Sequence, residues 1–187
     1  ELGYIFKDRS LLDLALTQSG VNADSNNERL EFIGDRVLGL SVADLLYNMY
    51  PNESEGELAR RHAVLVSTET LASVAGRLGL DRYVRHGHMT AGRIAHMLAN
   101  ATEALLGAVY LDSGFDVARD VVVNIWRDLA AADIVAPKDP KTALQEFVQQ
   151  YDSGNLPVYE YFEATGASHN PVFRFRLDGS CCAPRKN

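Results

Sequence analysis

The stretch Asn26-Asn27-Glu28-Arg29-Leu30-Glu31-Phe32-Ile33-Gly34-Asp35-Arg36-Val37-Leu38-Gly39-Leu40 limits the chain more than any other. Wound as a helix at ~100° per residue, it gathers Glu28, Glu31 and Asp35 within roughly 60° of arc. Leu30, Ile33, Val37 and Leu40 then fall on the other side, as an amphipathic helix requires. A solvated helix face pairs its acids with Lys or Arg four residues on. Glu31 instead meets Asp35 at that spacing, a like-charge pair that costs a bare helix roughly a few tenths of a kcal/mol. A bound cation is the simplest compensation, and a plain solvated face is the alternative. Ser25 and Glu28 also have the spacing of a capping box, a second reading of Glu28. Gly34 and Gly39 each cost ~1 kcal/mol inside a helix, so close helix packing is expected at both.

No segment between residues 8 and 132 alternates with a strand's period of two, so this region is expected to be all-helical. Asp8 can cap a short helix through Leu16. The acidic helix runs to about Tyr50, where Pro51 stops it. Glu55-Gly56-Glu57 opens another through about Leu65, with Arg60, Arg61 and His62 as a basic cluster on a solvated face. Ser67 to Leu78 forms a third, closed by Gly79. A long helix from about Ala91 to Leu111 ends near Gly114, and a final one covers Val117 to about Ala132. Between Arg93 and Asp112 the long helix carries one charged side chain, Glu103, if His96 is neutral. Its surroundings, Ala104-Leu105-Leu106-Gly107-Ala108-Val109-Tyr110-Leu111, are apolar nearly all round and should be buried. A lone carboxylate there is costly unless paired or bound to metal. His86-x-His88 has a ligand-pair spacing but no third partner, and reads as incidental.

Ala136-Pro137-Lys138-Asp139-Pro140 reads as a linker. Past it the pattern changes to a helix over Lys141 to Gln150 and two strands, Pro157–Glu163 and Val172–Leu177, joined by a turn around 166–171. The division expected is a domain over 1–134, a linker over 135–140 and a smaller domain over 141–187. A chain of 187 residues with 47% apolar side chains has material for both cores. No apolar run reaches the ~18 residues that a membrane span needs. The two cysteines, Cys181 and Cys182, are adjacent, which suits a reducing cytoplasm better than a disulfide framework. The net charge of −7 falls wholly in residues 1–136, where 19 acids face 12 bases; residues 137–187 carry six of each. Composition by itself leaves the partner open. The start at Glu1, with no Met and no signal-like segment, is what a trimmed fragment shows.

From Asn27 to Asp35 the residue types closely resemble the nuclease-domain motif of the ribonuclease III family, enzymes that cut double-stranded RNA. Leu14-Ala15-Leu16-Thr17 is similar to that family's opening helix, with Gln18-Ser19 where His-Ser is usual. Leu98-Ala99-Asn100-Ala101-Thr102-Glu103-Ala104 resembles its second motif, Leu-Ala-Asp-x-x-Glu-Ala, except that Asn100 stands in the Asp position. Asp139-Pro140-Lys141-Thr142-x-Leu144-Gln145-Glu146, Pro157-x-Tyr159 and the His169-to-Phe173 spacing resemble the first half of a double-stranded-RNA-binding domain.

The resemblance implies an all-α nuclease domain followed by a small α+β RNA-binding domain of α-β-β-β-α type, C-terminally incomplete because its third strand and basic helix lie past residue 187. It implies metal-assisted hydrolysis of RNA phosphodiesters in rRNA and mRNA precursor processing, leaving 5′-phosphate and 3′-hydroxyl ends. Glu31, Asp35, Asn100 and Glu103 then form an all-oxygen set of the kind that suits Mg²⁺, with Mn²⁺ able to substitute. Glu31 and Glu103 are implied metal ligands. Asp35 orients or deprotonates the attacking water and can also bind metal. Glu28, Glu55, Thr142, Gln145, Glu146 and His169 are implied RNA contacts. Phe32 matches an aromatic knob that enters a socket on a second subunit, so a cytoplasmic homodimer without a membrane partner is expected. Asn100 keeps the shape of Asp and one oxygen but removes a charge, which opens the alternative of a weakened or non-catalytic RNA-binding subunit. A di-iron bundle would need Glu-x-x-His pairs, and the chain has none.

Overall fold

Local sequence signals set most helix boundaries in the structure, a computed structural model. It describes residues 2–87 and 90–132, the helical positions Leu144, Gln145 and Val148, and the backbone of 159–165 and 172–177. Two compact units emerge, Glu1–Ala136 and Pro137–Asn187. In the first, the Asp8 carboxylate accepts from the Ser10 amide at 2.9 Å and starts helix α1 (Arg9–Ala15). Helix α2 spans Glu28–Met49, and α3 (Glu55–Leu65) opens behind a Ser54–Glu57 capping box. Helix α4 (Thr68–Leu78) is capped by Ser67 and closed by Gly79 at φ 67°, a left-handed turn that favours glycine. Helices α5 (Ala91–Ser113) and α6 (Phe115–Ala131) complete the unit. Its described residues contain no strand, only an isolated bridge between Thr17 and Arg85.

One expected cap is absent. Asn27, not Ser25, is the N-cap of α2, and Asn26 Oδ1 takes the Glu28 amide at 3.0 Å. The Ser25 amide is turned to Asn22 Oδ1 at 3.1 Å, so no Ser25–Glu28 capping box forms. Glu28 therefore keeps its carboxylate for the acidic face.

Helices α2 and α5 cross at the centre, and α4, α3 and α6 close over them. Leu38, Val42 and Leu46 of α2 share one core with Leu106 and Val109 of α5 and with Val122 and Trp126 of α6. Trp126 is fully buried, and its indole N–H donates to the Leu65 carbonyl at 2.9 Å, which satisfies its only polar atom. By length and composition the Gly92–Ser113 segment could cross a membrane, contrary to the expectation that no run is long enough. The fold uses that apolar surface otherwise: Met97, Leu98, Ala99, Ala101, Ala104, Leu105, Leu106, Ala108 and Val109 are all buried. It is the core helix. Leu40, placed by periodicity on the apolar stripe, is instead 59% exposed and shares an outer face of α2 with Phe32 and Tyr47. It stands at the edge of the stripe, where helix packing ends.

In the second unit, β1 (Tyr159–Thr165) and β2 (Val172–Leu177) pair antiparallel, Tyr159 opposite Leu177 and Thr165 opposite Val172, with a bulge between Tyr161 and Glu163. The described part of the first strand covers Tyr159–Glu163 of the predicted span, and 157–158 lie outside the described residues. The linker, most of the 141–150 helix, the 166–171 turn and residues 178–187 lie outside the described residues.

Candidate metal centre

Two glycines bring the functional helices together. A Cβ built on Gly34 of α2 would lie 1.8 Å from the Glu103 carbonyl oxygen and 2.9 Å from the Gly107 nitrogen of α5. One built on Gly107 would lie 2.2 Å from the Leu30 carbonyl oxygen. The backbones therefore touch at this crossing, and any side chain there would force them apart. Glu31 sits one turn before Gly34, and Asn100 and Glu103 lie two turns and one turn before Gly107. Side chains lean toward a helix N-terminus, so these three are delivered to the same place. Gly39 differs: a Cβ there would meet only the His62 ring, at 3.9 Å. The expected tight helix approach exists at Gly34 and not at Gly39.

The Asn100 side chain hydrogen-bonds the Glu31 carboxylate. Burial raises the pKa of Glu31, the Asn100 bond opposes that rise, and the nearby charge of Glu28 adds to it. Glu103 is pushed up to about 7, first by burial and then by the charge of Glu31, with Arg36 pulling the other way. Glu31, Asn100 and Glu103 thus form one interacting group, with Glu28 as a charged neighbour. Asp35 has a different partner. Its carboxylate is ion-paired with Arg36, whose guanidinium also lies 5.1 Å above the ring of Phe32. Among the described residues no three of His, Cys, Asp and Glu come together as a ready metal cage. The donors that do converge are two carboxylates and one amide oxygen. They are hard, partly desolvated and mutually repelling, which fits a small divalent cation.

The remaining predicted residues are dispersed. Glu55 is exposed in the first turn of α3 and makes no described contact with the group. Phe32 is 65% exposed. Gln145 is helical, whereas Thr142, Glu146 and His169 lie outside the described residues. The basic cluster is not a solvated face. Arg61 binds Glu53 through Nε at 2.8 Å and Nη2 at 2.7 Å and covers the Tyr50 ring at 4.0 Å. His62 Nε2 is 2.9 Å from the Gly39 carbonyl oxygen. Both side chains brace α3 against α2. Sequence reasoning missed Gly107, although a glycine four residues past a lone buried acid was a signal, and it missed Arg36 as the partner of Asp35.

A family model described as Ribonuclease-III-like matches residues 8–129. The Ribonuclease 3 of Vibrio vulnificus is 43% identical over 184 residues, 95% of this chain and 81% of that protein. That of Alkalilimnicola ehrlichii is 45% identical over 179 residues, covering 92% and 78%. Among solved structures, the ribonuclease III nuclease domain of Campylobacter jejuni matches with a TM-score of 0.62 at 34% identity, covering 68% of this chain and 92% of that one. The Dicer of Pichia stipitis shares the fold, with a TM-score of 0.58 at 24% identity over 93% of this chain and 82% of that one.

Proposed function

This chain belongs to the ribonuclease III family, and from that premise we propose that the Gly34–Gly107 crossing is the centre at which it cleaves double-stranded RNA. The chain is an endoribonuclease of this type, and the likenesses do not favour the non-catalytic alternative that Asn100 raised. The observation that carries the site assignment is the mutual engagement of Glu31, Asn100 and Glu103 across that crossing.

Glu31, Glu103 and the Asn100 Oδ1 atom would hold a divalent cation, Mg²⁺ by hardness of the donors, with Mn²⁺ able to substitute. When bound, such an ion supplies positive charge to the in-line displacement at phosphorus and acidifies water. Asn100 donates to Glu31 and so aligns its carboxylate before any substrate arrives. Asp35, close to solvent, orients the attacking water and takes its proton as the P–O3′ bond breaks, and bulk water protonates the departing O3′, leaving a 5′-phosphate and a 3′-hydroxyl. Glu28 and Glu55 border the RNA path. Thr142, Gln145, Glu146 and His169 of the smaller domain, 141–187, contact the duplex backbone and minor groove. Phe32, Leu40 and Tyr47 give α2 an outer apolar face, exposed by 65%, 59% and 71%, that a second copy would cover. Paired in this way in the cytoplasm, two centres cut the two strands of one duplex.

End analysis of a duplex RNA incubated with the protein and Mg²⁺ tests this reading. Paired cuts with short 3′ overhangs, abolished by Glu103→Gln, are expected. Single-strand nicks would refute the pairing of centres, and full activity in the Glu103→Gln protein would remove Glu103 from the mechanism.

A further inference from the structure

Arg36 is a cation at the edge of an acidic group. It is exposed on α2, directly after Asp35, and its guanidinium pairs with the Asp35 carboxylate. The same guanidinium lies over the Phe32 ring, 5.1 Å from its centroid, and its charge is felt at Glu103. The Arg36 side chain is 63% exposed and that of Asp35 45%, so both ends of the pair are open to a substrate. An exposed ion pair is weak and exchanges readily for another anion.

Cleavage brings another anion to this spot. A phosphodiester adds its negative charge to those of ionised Glu31, Asp35 and Glu103. A single divalent ion offsets only part of that sum, and Arg36 offsets more of it. Position agrees with charge. Water held by Asp35 lies about 3 Å from the carboxylate, and the phosphorus it attacks lies about 3–3.5 Å further on. A guanidinium that touches the same carboxylate is therefore within reach of the phosphate oxygens. Its planar fork fits a phosphate as well as it fits a carboxylate.

Resting on the reading of the centre given above, we propose that Arg36 is a substrate-binding residue, exchanging the Asp35 carboxylate for the non-bridging oxygens of the attacked phosphate. The exchange has two effects. It holds the phosphate beside carboxylates that would otherwise repel it, and it releases Asp35 to hold the water. The Phe32 ring gives the guanidinium a backing that does not depend on Asp35.

The test measures RNA binding by the full chain with Mg²⁺ present, in a Glu103→Gln background that prevents cutting. One duplex RNA has cut sites mapped beforehand with the wild type, and a second carries neutral methylphosphonates at those linkages. Adding Arg36→Ala should weaken binding of the phosphodiester duplex by about tenfold or more, the scale of a charge-assisted hydrogen-bonded contact. Binding of the neutral duplex should change by less than about twofold, because the partner of Arg36 is already gone. Arg36→Ala alone should bind Mg²⁺ at least as tightly as the wild type, which also shows that it is folded. Lost Mg²⁺ binding, or equal losses on the two duplexes, would make Arg36 a structural or general electrostatic residue and overturn the contact. So would no loss on either duplex, or neutral linkages that cost the Arg36-bearing chain nothing. Each of these results leaves the centre standing where the wild type cuts and Glu103→Gln does not. A wild type that makes no cuts brings down the centre and the contact with it.

Discussion

Asn100→Asp should make the metal-free protein less stable and the metal-bound protein more so, and the two effects share one cause. In the wild type the Asn100 side chain hydrogen-bonds Glu31, easing a carboxylate that burial and Glu28 already strain. An aspartate cannot donate that bond when ionised. It would put a third negative charge beside Glu31 and Glu103. Two charges ~5 Å apart in an effective dielectric of about 20 repel by about 3 kcal/mol. Partial exposure and salt screen that to ~1–2 kcal/mol. Melting in a chelating buffer should therefore fall by several degrees, roughly 2–4 °C per kcal/mol for a chain of this size. The same added charge attracts a divalent ion, and ~1–2 kcal/mol corresponds to about 5- to 30-fold tighter binding. Thermal melts in chelator and a calorimetric Mg²⁺ titration on the same two proteins read both signs, and cleavage at limiting Mg²⁺ should rise with affinity. Unchanged melting together with an unchanged Mg²⁺ affinity would refute the placement of Asn100 against Glu31.

Gly34→Ala should cost several kcal/mol and abolish Mg²⁺ binding, because its Cβ would fall 1.8 Å from the Glu103 carbonyl oxygen. Gly39→Ala, with 3.9 Å to the His62 ring, should be neutral or stabilising by up to about 1 kcal/mol. Denaturant midpoints of the two variants check both. The pH dependence follows from Glu103, held at about 7 in the fold against an ordinary value of 4.5. Between those values the folded chain binds more protons than the unfolded one, so metal-free stability is full below the lower value and is lost as pH rises through about 7. Glu31 is shifted in the same direction. Denaturation across this window should show the decline in chelator, a shallower one in Glu103→Gln, and its reversal with saturating Mg²⁺; a flat wild-type profile would refute the half-buried placement of Glu103 beside Glu31.

Much of the helical unit could be read in advance because its signals are local. Asp8, Ser67, Gly79 and Gly114 each act within a few residues of the backbone they cap. Glu103 could be singled out for a related reason, as a charge isolated in an apolar helix. What escaped was set by contacts between distant segments. Leu40 has the right period for the core, but no neighbouring helix covers that part of α2. Arg61 and His62 look like solvent-facing bases in a row, yet their partners, Glu53 and the Gly39 carbonyl, come from outside α3. The cost of Gly34 inside a helix announced a close approach, but that its partner is Gly107 is set only by the crossing of the two segments.

Arg36 is the partner that Asp35 takes in the protein alone. The like-charge pair Glu31–Asp35 needs a cation, and in the protein alone Arg36 is the cation that serves Asp35. It also tempers Glu103 from the same position. One side chain thus answers part of the repulsion that a bound ion would answer in full. The comparison of strengths decides which prevails. An exposed ion pair is worth at most about 1 kcal/mol, and the stacking of Arg36 on an exposed Phe32 adds only about 0.5–1 kcal/mol. A divalent ion placed among Glu31, Asn100 and Glu103 acts at closer range, in a partly desolvated setting, with twice the charge. A divalent ion bound there would therefore outweigh both of the contacts that Arg36 makes with Asp35 and Phe32.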